Sequence, residues 1–384
     1  MNICMFSPFS IKAPSTYRLL SFARVLTARG HNVTIVLPSF DRYSGFKVEL
    51  ENSLGDVQLS KPPQLKSKKL ITDMIPYAFS TTLRSVFSTC DVVHILKTTP
   101  ISCFGYAAKF SHRIPIVQDI DDLDHLVMIA EGHSRIRTWI VAQCEKILPK
   151  LANHTIVSSS SLRRLYLEFG LERNKITQIS NGVCVDEFDV EADLAIKEHY
   201  NLKDRVVVYV GSLNNEAQLS PLIFGMQEVV KERKDASCLI VGDGTARGNL
   251  QQLVHNLDLE EFVIFAGQVV HAEIPKFLSI SDIGFACFPE MDYLRFVSNI
   301  KVFEYMASGI PVVVNSVGDL PFYVDYGRAG VITKPDANEL SKALVDLLSD
   351  DRKRRRLANH AKKYVKNFDW TMLTEKLLEV YERI

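Results

Sequence analysis

The sequence predicts an α/β protein made of two doubly wound, Rossmann-like blocks. Three observations carry this. Short apolar runs of strand length alternate with amphipathic helical patterns along nearly the whole chain. The alternation runs as two series, separated near residues 185–203 by a polar, charged stretch. The chain has 384 residues, enough for two domains of ordinary size.

The first series opens with Asn2-Ile3-Cys4-Met5-Phe6, which Ser7-Pro8 ends. A helix follows, with apolar residues at three- and four-residue steps from Tyr17 to Leu26, and Gly30 closes it. Asn32 to Leu37 is the next strand, completing a βαβ unit and requiring a parallel sheet. Residues 92–96, 115–119, 154–158 and 176–179 read as further strands, with a helix over 135–150. The second series begins at Arg205 to Val210 and continues through 238–241, 262–265, 283–287 and 311–314. The expected domains are residues 1–186 and 187–367, with residues 368–384 forming a last helix. In open sheets of this kind ligands bind beyond the carboxyl ends of the strands, so two facing blocks are expected to leave a cleft.

Lys+Arg and Asp+Glu are both 45, so the balance of charge offers no support for nucleic-acid binding. The seven cysteines are scattered and never in C-x-x-C spacing, which favours buried, reduced thiols over disulfides or zinc. The N-terminus lacks the pattern of a signal peptide, and no apolar run has the length of a membrane span. A cytoplasmic protein is the expectation. Residues 66–80 set Lys66, Lys68 and Lys69 beside Leu70, Ile71, Met74, Ile75, Tyr77 and Phe79, a pattern equally suited to a peripheral membrane contact and to a core-facing helix. The basic run Arg352 to Arg356 reads as a solvated helix start.

One loop is suited either to a phosphate or, equally, to a plain turn. Val241-Gly242-Asp243-Gly244 joins a strand to a helix, and a glycine pair there allows close backbone approach to a ligand. Neither G-x-G-x-x-G nor a P-loop is present. Gln118-Asp119-Ile120-Asp121-Asp122-Leu123-Asp124-His125 gathers four carboxylates at one strand end. At least one is expected to have a raised pKa, and they are suited to orienting a hydroxyl or taking its proton. Capping of the following helix explains the same residues equally well. His94 and Lys97 follow the strand at 92–96, and a lone His in such a place reads as structural.

In order, Thr155–Ser159, Asn181-Gly182-Val183, Val210-Gly211, Val241-Gly242-Asp243-Gly244, Phe265-Ala266-Gly267, Lys301-x-Phe303-Glu304-Tyr305-Met306-Ala307-x-Gly309-x-Pro311 and Phe368-Asp369-Trp370 resemble the large GT-B family of retaining glycosyltransferases, of the group 1 or family four type. The resemblance is strong from about residue 150 onward. It implies a nucleotide-diphosphate-sugar donor, such as a UDP- or GDP-sugar, on the C-terminal domain. It implies a glycan or lipid-linked hydroxyl acceptor on the N-terminal domain, no metal or other cofactor, and a final helix that crosses back to pack on the N-terminal domain. By this resemblance Glu304 binds the donor ribose, a task suited to a bidentate carboxylate acceptor. Ser298, Asn299 and Ile300 form the turn at the diphosphate, and Gly211, Ser212, Gly242 and Gly244 line the donor. Arg18 and Asp119 are placed on the acceptor side, and Asp121 and Asp122 near the reacting hydroxyl.

Three departures stand out. The first Glu of the family's paired-Glu motif is Phe296 here, and the expected Arg and Lys are Ser212 and Gln218. A leaving diphosphate needs positive charge where its own charge develops. Arg295 and Lys301 flank the expected turn and are the candidates to supply it. The loop Ser10–Thr16 also lacks the glycines of the family's first loop. The alternative reading is a catalytically inactive homologue that binds nucleotide or glycan and scaffolds a partner. A nucleotide-sugar epimerase of the same fold would need an acid set that is not found.

Overall fold

The computed structural model describes residues 1–9, 14–37, 58–60, 89–106, 113–289, 291–334 and 336–384. Residues 10–13 of the first loop and the whole 66–80 segment lie outside them. The chain divides into two compact units. Unit 1 comprises Met1–Asn181, Phe296–Ser298 and Trp370–Ile384, and unit 2 comprises Gly182–Arg295 and Asn299–Asp369.

Unit 1 is built on a seven-stranded sheet of β1 (Asn2–Phe6), β2 (Asn32–Val36), β3 (Gln58–Ser60), β4 (Val92–Leu96), β5 (Ile116–Ile120), β6 (His154–Val157) and β7 (Ile176–Gln178). Its order is β3-β2-β1-β4-β5-β6-β7, parallel throughout. Its helices are α1 (Pro14–Ala28), α2 (Asp124–Ala130), α3 (Arg135–Leu151) and α4 (Ser160–Glu168). Every residue of β4 and β5 is buried, as expected of a parallel strand covered on both sides. The order reverses between β1 and β4, so Ser7 and Lys97 mark the switch point.

Unit 2 is a six-stranded parallel sheet, β10-β9-β8-β11-β12-β13. Its strands are β8 (Arg205–Val210), β9 (Ala236–Val241), β10 (Val263–Gly267), β11 (Ile283–Ala286), β12 (Val312–Asn315) and β13 (Gly330–Thr333). Its helices are α5 (Leu194–His199), α6 (Glu216–Glu232), α7 (Arg247–Asn256), α8 (Ile274–Ser279), α9 (Ile300–Ala307), α10 (Leu320–Tyr323), α11 (Ala337–Ser349) and α12 (Asp351–Tyr364). Alternate β8 residues feed separate cores, Val206, Val208 and Val210 on one side and Val207 and Tyr209 on the other. The switch point lies between β8 and β11.

The last helix, α13 (Trp370–Glu382), belongs to unit 1. Trp370 packs edge-on to Phe22 with ring centroids 5.1 Å apart, and Leu373, Leu377 and Val380 are buried with it. Two residues earlier, Phe368 stacks on Phe303 at 4.6 Å in the core of unit 2. The Phe-Asp-Trp signature therefore seats one aromatic in each core.

The sequence reading missed β3 and β13, both short and weakly apolar at one end. It also began α1 three residues late, because the turn Pro14-Ser15-Thr16 carries no apolar periodicity. All the cysteines are free. No helix among the described residues is long and apolar enough to cross a membrane.

Candidate functional site

The loops at the β8 and β9 carboxyl ends of unit 2 touch through their backbones. Gly211 has φ 150° and Gly242 has φ 148°, values that side chains disfavour. A Cβ on Gly242 would lie 1.9 Å from the Gly211 carbonyl oxygen. One on Gly244 would lie 2.5 Å from the Leu213 carbonyl carbon. Leu213 N–H donates to the Asp243 oxygen at 2.9 Å, and Ala246 N–H to the Leu213 oxygen at 2.7 Å, locking the two loops together. Beside them is a cavity of about 670 Å³, lined by residues 210–212, Asn214, residues 241–245, Gln268, Val269 and Ile274.

The helix α9 brings two polar side chains to this region. Its apolar residues Val302, Phe303, Tyr305 and Met306 are buried in unit 2, so Lys301 and Glu304 follow the backbone to fixed places. The Tyr305 hydroxyl accepts from Val210 N–H at 2.8 Å, tying α9 to the end of β8. Lys301 Nζ sits 4.1 Å from the Tyr209 ring centroid and 5.6 Å from that of Phe288. A Cβ on Gly211 would come within 2.6 Å of that ammonium, so the glycine makes room for it. Burial pushes the Lys301 pKa down to about 7, with the Glu304 charge acting the other way. Lys301 is thus a half-buried amine beside a glycine-lined cavity, and a bound anion would favour its charged form.

Glu304 is 5 % exposed and accepts from His271 Nε2 at 2.8 Å. That hydrogen bond raises the His271 pKa, and it outweighs the effect of burial. His271 was not singled out in the sequence, because the two residues are 33 positions apart and no local pattern links them.

The turn before α9 is fixed by hydrogen bonds to its neighbours. The Ser298 hydroxyl is buried and accepts from Asn181 N–H at 3.1 Å, while Asn181 Nδ2 donates to the Ser298 carbonyl at 2.9 Å. Ser159 Oγ donates to the Phe296 carbonyl at 2.8 Å. These bonds tie 296–298 into unit 1. Phe296 fills an apolar socket with Ile120, Val157 and Leu162, an environment in which a carboxylate would be costly. Asn299 is the N-cap residue of α9 but makes no side-chain capping bond, and Ile300 is the first helical residue. Arg295 and Ser212 are exposed, and Gln218 is half-buried on α6.

In unit 1 Arg18 and Asp119, expected on the acceptor side, are both buried. Arg18 is 1 % exposed. It donates to Asp119 at 2.8 Å, to the Ser180 carbonyl at 2.8 Å and to the Ile179 carbonyl at 2.8 Å. His94 Nε2 donates to the same Asp119 oxygen at 3.2 Å, and the Tyr381 hydroxyl donates to His94 Nδ1 at 2.6 Å. Burial raises the Asp119 pKa, but the Arg18 charge and the His94 hydrogen bond outweigh it and leave Asp119 below the usual carboxylate range. The result is an internal brace joining α1, β4, β5, the segment after β7 and α13. His94 is structural within it.

Lys97, at the switch point, has φ 66° and is buried among Asp121, Asp122 and Asp124. Its ammonium lies 2.9 Å from Asp121 and 3.1 Å from Asp124, and it also contacts Asp122. Burial raises the Asp122 pKa to about 7 against the attraction of Lys97, and neighbouring Asp121 and Asp124 push it further up. Burial likewise raises Asp124. The Lys97 ammonium supplies the positive charge among the three carboxylates. Among the described residues no group of three or more His, Cys, Asp or Glu is arranged to hold a metal ion.

Two parallel sheets with flanking helices and glycine-rich switch-point loops define the GT-B class. The chain superposes on Anabaena HepE in complex with UDP at a TM-score of 0.77, with 19 % identity and all of both chains covered. It superposes on sucrose-phosphate synthase from Thermosynechococcus elongatus at 0.77, with 17 % identity, covering 100 % of this chain and 99 % of that one. The profile of glycosyl transferases group 1 matches residues 191–364, and that of glycosyltransferase family 4 matches residues 16–187. The chain belongs to the group 1 glycosyltransferases. It is 24 % identical to the phosphatidyl-myo-inositol mannosyltransferase of Mycobacterium leprae, over 100 % of this chain and 97 % of that protein. It is 28 % identical to an uncharacterised glycosyltransferase of Methanocaldococcus jannaschii, over 59 % of this chain and 58 % of that protein. An N-acetyl-alpha-D-glucosaminyl L-malate synthase of Bacillus anthracis is 22 % identical, over 77 % and 74 %.

Proposed function

We infer that this protein transfers a sugar, with retention, from a nucleotide-diphosphate sugar to a hydroxyl of a glycan, glycolipid or lipid-linked acceptor. The observation that carries this reading is Lys301, a desolvated amine held by Tyr209 and Phe288 against the glycine loops of unit 2. With Ser212 and Gln218 uncharged, Lys301 is the residue assigned to neutralise the leaving diphosphate, and Arg295 the second cation. The backbone of Gly211, Gly242 and Gly244 gives the phosphates close approach, and the α9 N-terminus at Asn299 and Ile300 adds favourable dipole. Glu304, released from His271 or sharing it, accepts from the ribose hydroxyls. A UDP-bound neighbour of the same fold and relatives named for sugar transfer support the donor class.

The acceptor side is assigned to unit 1. There Asp122, part-exposed and with a pKa near 7, is suited to hydrogen-bonding an incoming hydroxyl, and Asp121 to holding Lys97 in register. The donor phosphate itself is a competent base for the acceptor proton, so no protein nucleophile is required.

The test is a panel of UDP-, GDP- and ADP-sugars, read by nucleotide release and thermal stabilisation. One donor should give slow release that Lys301→Ala abolishes. Stabilisation without release would establish the alternative, a binding homologue, favoured by the uncharged Ser212, Gln218 and Phe296. Neither response with any donor would overturn the donor assignment.

A further inference from the structure

Tyr326 stands where neither its backbone nor its burial calls for a tyrosine. Its φ is 52° and its ψ 39°, the left-handed region in which a bulky side chain is strained. Asp325 before it is also left-handed, with φ 49°, and is buried against Arg328 and His360. Tyr326 itself is 70 % exposed, so it gains little from packing. Glycine would fit this backbone at lower cost. Strain kept at an exposed aromatic points to a use outside the core.

The surroundings of Tyr326 suit one kind of ligand. Phe322, 41 % exposed, lies edge-on to Tyr326 with ring centroids 6.4 Å apart. Tyr364 continues this surface, its hydroxyl donating to the Phe322 carbonyl at 3.1 Å, and His360 lies parallel to Tyr364 at 6.1 Å. His360 also lines a groove of about 720 Å³ along α12, with Arg352, Arg355, Arg356, Asn359 and Lys363. The four cations of the groove have no ion pair among the described residues. Asp351, the carboxylate of the groove, is already engaged by Arg205 and Arg354 at 2.9 and 2.6 Å. An aromatic platform thus adjoins a cationic groove, all within unit 2, and the groove shares no residue with the cavity at Gly211 and Gly242. Aromatic rings take the apolar C–H face of a sugar, and guanidinium groups take carboxylates or phosphodiesters through paired hydrogen bonds. A chain of sugars bearing such anions satisfies both halves at once. Nucleic acid also stacks and pairs with cations, but a chain of zero net charge lacks the basic excess that accompanies it. The choice of a glycan rests on the transferase reading above.

We propose that Phe322, Tyr326 and the α12 groove form a secondary site for an acidic glycan, distinct from the donor cavity, that holds the polymer rather than the reacting sugar. Binding of the full chain to a polyuronate and to a sugar-phosphate polymer is measured by titration calorimetry without donor, beside neutral dextran and a single-stranded oligonucleotide. At least one acidic polymer should bind about tenfold or more tighter than dextran, and the binding should weaken as salt rises. The double variant Arg355→Gln/Arg356→Gln should weaken it at least about tenfold. Tyr326→Gly should weaken it about tenfold while Tm stays unchanged or rises. Nucleotide release from a donor sugar should match the parent in both variants, so loss of glycan binding and failure of the donor assignment read separately. Binding of neither acidic polymer, or undiminished binding by either variant, would overturn the proposal. So would equal affinity for the oligonucleotide, which would assign the face to nucleic acid. A fall in Tm of Tyr326→Gly would make the ring structural and overturn its place in the site.

Discussion

Lys301 shows how one side chain can cost stability and serve binding. Its ordinary pKa is 10.5, and the folded protein lowers it to about 7. Between those values the unfolded chain carries a proton that the folded chain lacks, so stability rises with pH across that window. Lys301→Met should remove this dependence and raise Tm at pH 7 and below, while donor binding is lost. Scanning calorimetry from pH 6 to 10 checks the sign. Binding of a diphosphate should restore the proton. Donor affinity is then greatest below pH 7 and falls as pH rises above it, with proton uptake that titration calorimetry in buffers of differing ionisation enthalpy would detect. For turnover, Lys301→Ala should cost at least about a hundredfold, or ~2.7 kcal/mol, the scale of one preorganised electrostatic contact. His271→Ala tests the partner of Glu304. If His271 orders that carboxylate, the variant raises KM for the donor with little change in kcat.

At the scale of elements, two contacts decide whether the site and unit 1 hold together. Gly211 and Gly242 meet backbone to backbone, so Gly242→Ala must push the β8 and β9 loops apart. A loss of about 2 kcal/mol or more in denaturant unfolding is expected, with donor binding lost in parallel. Helix α13 supplies Trp370, Leu373, Leu377, Val380 and Tyr381 to the interior of unit 1. Trp370→Ala should cost about 3–5 kcal/mol of its stability, the range for deleting a buried aromatic. An unchanged midpoint would show that α13 is only draped over the unit.

For the molecule as a whole, the donor panel asks which nucleotide sugar the proposed transferase accepts. The buried brace of Arg18, Asp119, His94 and Tyr381 holds unit 1 together from within. Its hydrogen bonds connect elements up to 287 positions apart in the chain.

Strand and helix alternation, the parallel sheets and the family were legible because each rests on local pattern. Period-two and period-3.6 burial, glycine turns and the Lys301–Glu304 signature are written in adjacent residues. The Gly242–Gly244 loop was legible only as a turn that allows close backbone approach, since a glycine after a strand also serves a plain turn. Short β3 and β13 escaped because their residues lack strong apolar alternation. Tertiary structure alone decided what the polar residues do. Arg18 and Asp119 read as site residues but form an internal brace, because distant backbone carbonyls and His94 surround them. Ser298 turned toward Asn181, and Phe296 found an apolar socket. Lys301 acquired its depressed pKa from burial, which its own helix does not foretell. Desolvation and long-range hydrogen bonding are properties of surroundings assembled from far along the chain, so a local reading identifies the residue but not its charge, partner or exposure.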